Sequence, residues 1–316
     1  MDKKKGVYLD SFSLGVILSV LAALCWGSTV IFVKIVLKDE NPLISIIIRG
    51  FSAVIFILLI IIFSGSMNSF GVLFQTEILI LIIIGGFLNA LGEIFYFKAI
   101  KIGNTSIVQT ASSVTPIFIA TILIIGSIEI ISIITIIGTI ITVLGVGFVS
   151  QKKENGNDSE MINSNIYYTS IFLSLLAAFL WGISLIILRN IFEFPGVNTY
   201  SLTALRFFTA TVFTTIIFLT ISINNKKNNN KKKKHLISRR NFIILVYAGI
   251  MVWGIGSVAY FESIRLIGIS RASPIASINP LITVMLGIII LKEKLNKYQI
   301  FGILIVIMGT IVVTIS

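Results

Sequence analysis

Ten long apolar segments dominate the chain, and short polar stretches separate them. The first five lie near residues 12–33, 44–63, 76–98, 105–125 and 131–149, and the second five near 167–189, 199–221, 241–263, 272–291 and 298–315. Most match the roughly 20 residues that a helix needs to cross a bilayer. Strict alternation of apolar and polar residues, which membrane β-barrels require, does not occur in them. The pattern predicts an all-α polytopic membrane protein with ten transmembrane helices.

The composition supports this prediction. Hydrophobic residues make up 56% of the chain and charged residues 12%, and the mean hydropathy is +1.03. Soluble domains carry about a quarter charged residues. The chain has one cysteine, Cys25, and one histidine, His235, so no spacing of metal ligands is present in the sequence. We therefore expect no metal, no cofactor and no enzymatic activity.

The net charge of +12 is concentrated in part at residues 226–234, beside an apolar segment. Such a basic run is typical of a loop that contacts anionic lipid headgroups, and we do not expect a nucleic-acid partner. Lysine and arginine are enriched on the cytoplasmic side of membrane proteins. Counted over the predicted loops, this rule places both termini outside.

The two halves of the chain repeat the same short motifs in the same order. Ala-Ala-x-x-Trp-Gly at 22–27 recurs at 177–182, and Ser-x-x-Pro at 113–116 recurs at 277–280. The later motifs share an offset of 164 positions, the difference between 116 and 280. We therefore divide the chain into a first five-helix repeat, a polar linker and a second five-helix repeat, at 1–150, 151–165 and 166–316.

An odd number of helices in each half has a topological consequence. The second half must enter the membrane from the opposite side, so the two five-helix repeats are predicted to be inverted. Carriers built in this way bind substrate near the membrane midplane, between the repeats.

Polar, aromatic and helix-breaking residues near the middle of the predicted helices are therefore the candidate site. The candidate substrate-binding residues are Asn89, Glu93, Gln109, Ser113, Trp253, Ser277 and Asn279. The candidate gating or helix-bending residues are Trp26, Pro116, Trp181 and Pro280.

The spacing of the polar residues in the two fourth helices supports their assignment to the candidate site. Gln109, Ser113 and Pro116 share one helical face, and a proline inside a helix frees a backbone carbonyl for other partners. The alternative is that these small hydroxyl residues serve close helix packing. Packing is likewise the alternative for Asn89 and Trp253.

Ionisable residues inside the helices have two interpretations. Glu93 either binds a substrate ammonium group or exchanges a proton, or it has a structural role, in an ion pair with a nearby cation or in reaching the membrane interface. Arg49 and Arg206 are interpreted as reaching lipid headgroups or capping neighbouring carbonyls. Tyr96 and Tyr260 are interpreted as aromatic residues at the membrane interface.

The repeated Trp-Gly, the arginine in each second helix and Ser-x-x-Pro in each fourth helix resemble the drug/metabolite transporter superfamily, in particular its EamA-type members. Glu293, Leu295 and Gln299 before the last helix fit the same pattern. The resemblance implies a secondary transporter in the cytoplasmic membrane of a prokaryote. It would move amino acids or other small metabolites by alternating access, as an exporter and without ATP.

Several alternatives stay open at this point. The same fold also carries nucleotide-sugars and sugar phosphates, and a channel or a scaffold subunit remains the alternative from another class. A proton is the coupling ion under consideration, and a homodimer is the assembly under consideration. The resemblance implies that both termini face the cytoplasm, which is opposite to the charge count.

Overall fold

The computed structural model describes residues 10–103, 105–149, 164–227, 237–291 and 297–315. All regular secondary structure in these ranges is helical. The helices of the first half are α1 (Ser11–Asp39), α2 (Pro42–Phe63), a 3₁₀ helix (Met67–Phe74), α3 (Thr76–Ile102), α4 (Thr105–Ser112), α5 (Thr115–Ile125) and α6 (Ile133–Val149). Those of the second half are α7 (Ser164–Ile191), α8 (Thr199–Lys227), α9 (Arg239–Gly249), a π-helical segment (Ile250–Gly256), α10 (Ser257–Ile267), α11 (Ile269–Ala276), α12 (Asn279–Leu291) and α13 (Lys297–Thr314).

Some predicted features fall outside the described residues. They are most of the polar linker, the greater part of the basic run at 226–234, and Glu293 and Leu295. The helices on either side begin and end within a few residues of the predicted bounds.

Seven helical units are long and apolar enough to cross a membrane within the part of the chain that the structure describes. They are α1, α2, α3, α4 with α5, α7, α8, and α9 through α10. Two shorter apolar helices occupy Ile133–Phe148 and Ile300–Thr314. Large apolar side chains such as Phe63 and Ile125 point outward, as a lipid environment requires. The prediction of a helical multi-pass membrane protein is confirmed.

Local polar side chains determine where several helices begin. Asp10 accepts a hydrogen bond from the backbone N–H of Ser13 at 2.9 Å at the start of α1. Asn41 accepts from the N–H of Leu43 at 2.8 Å at the start of α2. Each cap satisfies a backbone N–H that has no partner inside the helix.

Each predicted fourth span consists of two helices instead of one. Residues 113–114 separate α4 from α5, and residues 277–278 separate α11 from α12. Pro116 and Pro280 are the second residues of the helices that follow. A proline inside a continuous helix would clash with the carbonyl four residues earlier, whereas in the first turn it loses no hydrogen bond. The helix therefore restarts before each proline.

The third helix of the second half contains an irregularity that its first-half counterpart lacks. Residues Ile250–Gly256 form a π-helical segment between α9 and α10, whereas α3 is a regular helix. The hydroxyl of Ser257 donates to the carbonyl of Val252 at 3.0 Å, five residues earlier. Segments of this kind widen one turn and change which carbonyls are available to neighbours.

The two halves pack against each other in reciprocal pairs. α1 packs against the π-helical segment and α10, and α7 packs in the same way against α3. The two second helices, α2 and α8, are in contact, and so are the two fifth helices, α6 and α13. The interior is therefore formed between the halves and not within either one.

Close backbone approach at Gly309 holds α13 against α6. A Cβ atom at Gly309 would lie 2.5 Å from the backbone nitrogen of Thr142, whereas one at Gly147 on α6 would meet nothing within 4 Å. We expect Gly309→Ala to lower the free energy of unfolding by about 1–3 kcal/mol, because the helices must move apart. Thermal unfolding of the purified protein in detergent measures this.

Gly147→Ala is the matched control for that substitution. It adds the same methyl group to α6 without a contact, so its melting temperature should equal or slightly exceed that of the wild type. Equal melting temperatures for Gly309→Ala and Gly147→Ala would contradict the close-packed interface between α6 and α13.

Candidate functional site

A cavity of about 170 Å³ lies between the two halves. It is lined by side chains from both, including all three tryptophans of the chain. The sequence-predicted residues that line it are Trp26, Asn89, Glu93, Gln109, Ser113, Pro116, Trp181, Trp253, Ser277 and Asn279. Pro280 follows directly after Asn279 in the chain and is not part of the lining. The residues that were selected because they lie near the middle of a helix, or because they recur in both repeats, thus line the same cavity.

The interpretation of two arginines and two tyrosines is wrong. Arg49 and Arg206 do not reach lipid headgroups, since each is only 3% exposed and lines the cavity. Tyr96 and Tyr260 likewise line the cavity and do not form part of a lipid-facing aromatic belt. The duplication of these residues in both halves was the available signal. Position within a helix indicates how deep a residue lies in the membrane, but it does not indicate which way the side chain points.

Arg49 and Glu93 form a buried ion pair. The Nη1 atom of Arg49 lies 3.2 Å from Oε2 of Glu93, and both side chains are almost fully buried. The guanidinium carbon of Arg49 also lies 4.7 Å from the ring centroid of Phe97 and 5.5 Å from that of Trp253. An ion pair with a nearby cation, one interpretation of Glu93, is thus observed. The pair neutralises the first-half arginine within the cavity wall.

Arg206 has a different environment in the second half. Its Nη2 donates to the hydroxyl of Ser184 at 2.7 Å, and that hydroxyl donates to the carbonyl of Gly85 at 2.6 Å. The guanidinium carbon lies 4.8 Å from the ring centroid of Phe261. Within the described part of the chain, its Nε and Nη1 atoms are buried without a hydrogen-bond partner. Arg206 is therefore a buried cation with donor capacity to spare.

Tryptophan and tyrosine meet across the two halves in matching pairs. Trp26 contacts Tyr260 with ring centroids 5.0 Å apart, and Trp181 contacts Tyr96 at 5.1 Å. The indole N–H of Trp26 donates to the carbonyl of Val252 at 3.2 Å. That of Trp181 is buried and has no partner among the described residues. The two pairs are alike in packing and differ in hydrogen bonding.

Gln109 connects the halves at the broken fourth spans. Its side-chain nitrogen donates to the Oδ1 of Asn279 at 3.4 Å and to the hydroxyl of Thr283 at 3.2 Å. Thr283 in turn donates to the carbonyl of Gly27 at 2.8 Å. This chain of bonds joins α4, α12 and α1. The hydroxyl of Ser113 donates to the backbone carbonyl of Gln109 at 2.8 Å, so Ser113 supports the end of α4.

No group of three histidine, cysteine or carboxylate side chains that could hold a metal occurs among the residues described. The cavity combines one neutralised ion pair, one further cation, amides and aromatic rings. Such a lining can hold a small organic molecule through hydrogen bonds and stacking.

Comparison with known proteins identifies two stretches of the chain. Residues 13–151 and 168–315 each match the EamA-like transporter family. The chain is 25% identical over 179 residues to an uncharacterized transporter of Clostridium kluyveri, an alignment that spans 57% of this chain and only 53% of that protein. One solved crystal structure has a TM-score of 0.74 at 13% identity, over 95% of this chain and 96% of that chain. That likeness shows a shared fold.

The Arg49–Glu93 pair generates a prediction about stability. Glu93→Gln should lower the free energy of unfolding by about 3–5 kcal/mol, because it leaves a buried guanidinium without its counter-charge. The double substitution Arg49→Gln with Glu93→Gln should cost less than the sum of the two single changes. Thermal unfolding in detergent of the four proteins in this cycle measures the coupling.

The exposed pair Arg189–Glu193 provides the control, since Glu193 has a side chain that is 62% exposed. Glu193→Gln should change the free energy of unfolding by no more than about 1 kcal/mol. A Glu93→Gln protein as stable as the Glu193→Gln protein would show that the buried pair contributes no stabilisation.

Proposed function

The chain belongs to the EamA-like transporter family, and we propose that it is a secondary carrier of amino acids or other small metabolites. It moves them across the cell membrane by alternating access, in the direction of export, without a cofactor. Membrane transport follows from the family, while substrate, direction and mechanism are the parts that we propose.

The observation that carries this proposal is the cavity that lies between the two halves. Both halves contribute polar and aromatic side chains to it, and the halves meet in reciprocal helix pairs. Rocking of one half against the other would open such a cavity first to one side of the membrane and then to the other. A scaffold subunit would have no use for a cavity that is lined by buried charged and amide side chains from both halves.

We further propose ten membrane spans arranged as two inverted repeats. The seven units that qualify by length and composition are supplemented by α6, the α11–α12 pair and α13. Each half then has five spans, of which the fourth is broken before a proline. The inversion explains why α1 packs against α10 as α7 packs against α3.

The size of the cavity favours a small substrate. Its volume of about 170 Å³ lies below the roughly 300–1,000 Å³ of pockets that hold drug-sized ligands. A molecule with the dimensions of an amino acid fits this space better than a nucleotide-sugar does. We therefore propose amino-acid-sized metabolites as the substrate class.

Glu93 is the residue that we propose for proton coupling. It is an acidic residue in the cavity lining, and its partner Arg49 lies on a different helix. Protonation of the carboxylate would weaken this pair and release α2 from α3. Coupling of this type links the charge of one side chain to the relative position of two helices.

Counterflow in proteoliposomes tests the proposed carrier. We expect saturable uptake of at least one labelled compound from a panel of amino acids, amines and sugar phosphates, with a rate that changes when a pH gradient is imposed. Conductance without saturation would indicate a channel. No uptake of any compound by folded protein would contradict the proposed transport of amino-acid-sized metabolites.

Gln109 provides a second prediction. Gln109→Ala should reduce counterflow about tenfold or more, because it removes donors from the cavity and the bonds that join α4 to α12. The control is Thr121→Ala in α5, since this hydroxyl is exposed and bonds only within its own helix. Wild-type counterflow by the Gln109→Ala protein would exclude a role for this residue in the transport cycle.

A further inference from the structure

The two halves place equivalent arginines at the cavity, but only one of them has an acidic partner. Arg49 lies over Phe97, and Arg206 lies over Phe261 at nearly the same distance. Phe97 and Phe261 occupy equivalent positions in the repeat, 164 residues apart. Among the described residues, Arg49 forms an ion pair and Arg206 forms none.

Ser257 occupies the place in the second half that Glu93 occupies in the first. The residues just before them, Gly92 and Gly256, each lie beneath the indole of the opposite half's tryptophan, where a Cβ atom would come within 3 Å of the indole nitrogen. This equivalence holds on both sides of the position, at the glycines and at the phenylalanines. The second half therefore lacks a carboxylate where the first half has one.

A cation in this environment requires compensation from elsewhere. Arg206 is 3% exposed and lies in a membrane-spanning part of the protein, where an unpaired charge is costly. Ser184 satisfies one of its nitrogens, and Phe261 faces its guanidinium. Because Arg49 and Glu93 cancel each other, Arg206 leaves the lining with one net positive charge. An anion that enters the cavity would complete the second pair.

The other unpaired polar atoms of the cavity lining are also hydrogen-bond donors. The buried atoms of the lining residues without a partner in the described structure are Nε of Arg49, Nδ2 of Asn89, Nε1 of Trp181, and Nε and Nη1 of Arg206. All of them are hydrogen-bond donors. Unpaired donors of this kind suit a ligand group that accepts hydrogen bonds.

Packing brings three of these donors to the same side of the cavity. Ser184 joins Arg206 to the carbonyl of Gly85, and Asn89 is one helical turn beyond Gly85. Trp181 is nearly one turn before Ser184 and lies on the α3 backbone at Gly92. The side of the cavity that α3, α7 and α8 form therefore carries Asn89, Trp181 and Arg206.

The indole of Trp181 is free for a structural reason. Its counterpart Trp26 donates to the carbonyl of Val252, which lies in the π-helical segment. The equivalent part of α3 is a regular helix, in which the carbonyls are used by the helix itself. The departure of one repeat from the other thus leaves the indole N–H of Trp181 without a partner among the described residues.

We propose that Arg206, with Trp181 and Asn89, forms a subsite for the carboxylate of the transported metabolite. The subsite rests on the proposed carrier function and specifies its substrate class. The carboxylate of the ligand would pair with Arg206 as the carboxylate of Glu93 pairs with Arg49. Charge-assisted hydrogen bonds from a guanidinium to a carboxylate are about twice as strong as neutral ones.

An aromatic layer beside Arg206 accommodates the rest of the molecule. Phe207 stacks on Trp253 with ring centroids 4.5 Å apart and an angle of 13° between the rings, and it stacks on Phe261 at 6.0 Å. This flat apolar surface suits an apolar or aromatic body. The substrate class is therefore a small organic acid with an apolar body, with or without an α-amino group.

Tryptophan fluorescence measures binding independently of transport, because all three tryptophans line the cavity. The probes are phenylalanine, its amide, phenethylamine and 3-phenylpropionate, with leucine, its amide and 4-methylpentanoate as an aliphatic set. The carboxylates should bind roughly ten- to hundredfold more tightly than the amides. Comparison of phenylalanine with 3-phenylpropionate distinguishes amino acids from other organic acids.

Variants locate the preference within the cavity. Arg206→Gln should abolish the preference for carboxylates over amides, and Arg206→Lys should retain part of that preference. Arg265→Gln, which changes an exposed arginine, should leave the preference unchanged. Since Arg206→Gln changes a buried residue, Ser257→Glu provides a second route. It adds a carboxylate that competes for Arg206 and should lose at least about tenfold more carboxylate affinity than Ser257→Gln, which has the same size.

The outcomes separate this subsite from the carrier function. Equal or tighter binding of the amides, no binding of any carboxylate, or an unchanged preference in Arg206→Gln would overturn the subsite. So would equal affinities of Ser257→Glu and Ser257→Gln for carboxylates. Saturable counterflow without carboxylate preference would leave the carrier intact, whereas selective binding without counterflow would leave the subsite and overturn the carrier.

Discussion

The cost of charge away from water organises the centre of this protein. Lipid cannot solvate a guanidinium group, so each buried arginine must be compensated by groups that the chain itself provides. Arg49 is compensated by Glu93, and Arg206 by Ser184 and the face of Phe261. Because these partners lie on different helices, compensation also fixes how the helices pack. The cavity lies where these buried charged groups come together.

Elsewhere, charged side chains remain near the ends of helices. Arg189 pairs with Glu193 at the end of α7, and Arg265 pairs with Glu262 near the end of α10. These pairs are partly exposed, and their contribution to stability is small. Burial thus separates these partly exposed pairs from the buried charges of Arg49, Glu93 and Arg206, which line the cavity.

Duplication gives the two halves a common frame, and departures from it assign different chemistry to each half. The tryptophan–tyrosine pairs and the arginine–phenylalanine pairs occur twice with similar distances. Glu93 and the π-helical segment each occur in one half only, within the described residues. The proposed carrier needs a frame that can adopt two equivalent arrangements, but it must bind its ligand in one orientation. Symmetric packing with asymmetric polar groups meets both needs.

The sequence predicted an all-helical membrane protein, because twenty-residue apolar runs have few alternatives in a membrane. It did not predict that each fourth span consists of two helices. Of the eleven candidate site residues, all but Pro280 line the cavity, since the repeat indicated which mid-helix residues are equivalent. Arg49 and Arg206 were misinterpreted because hydropathy shows the depth of a residue and does not show which neighbour it faces. The pairing of Arg49 with Glu93 joins residues 44 positions apart and depends on tertiary packing. The π-helical segment has no apolar pattern of its own and was not predicted.

The two arginines are also connected physically through the aromatic layer. Arg49 lies over Trp253, Trp253 stacks on Phe207, and Phe207 follows Arg206 directly in α8. A rotation of α8 that moves Arg206 therefore also displaces the ring beneath Arg49. Since dense packing does not deform gradually, such a displacement favours two discrete arrangements over a continuous range. In the proposed cycle, a change of charge at one arginine would thus alter the contacts of the other.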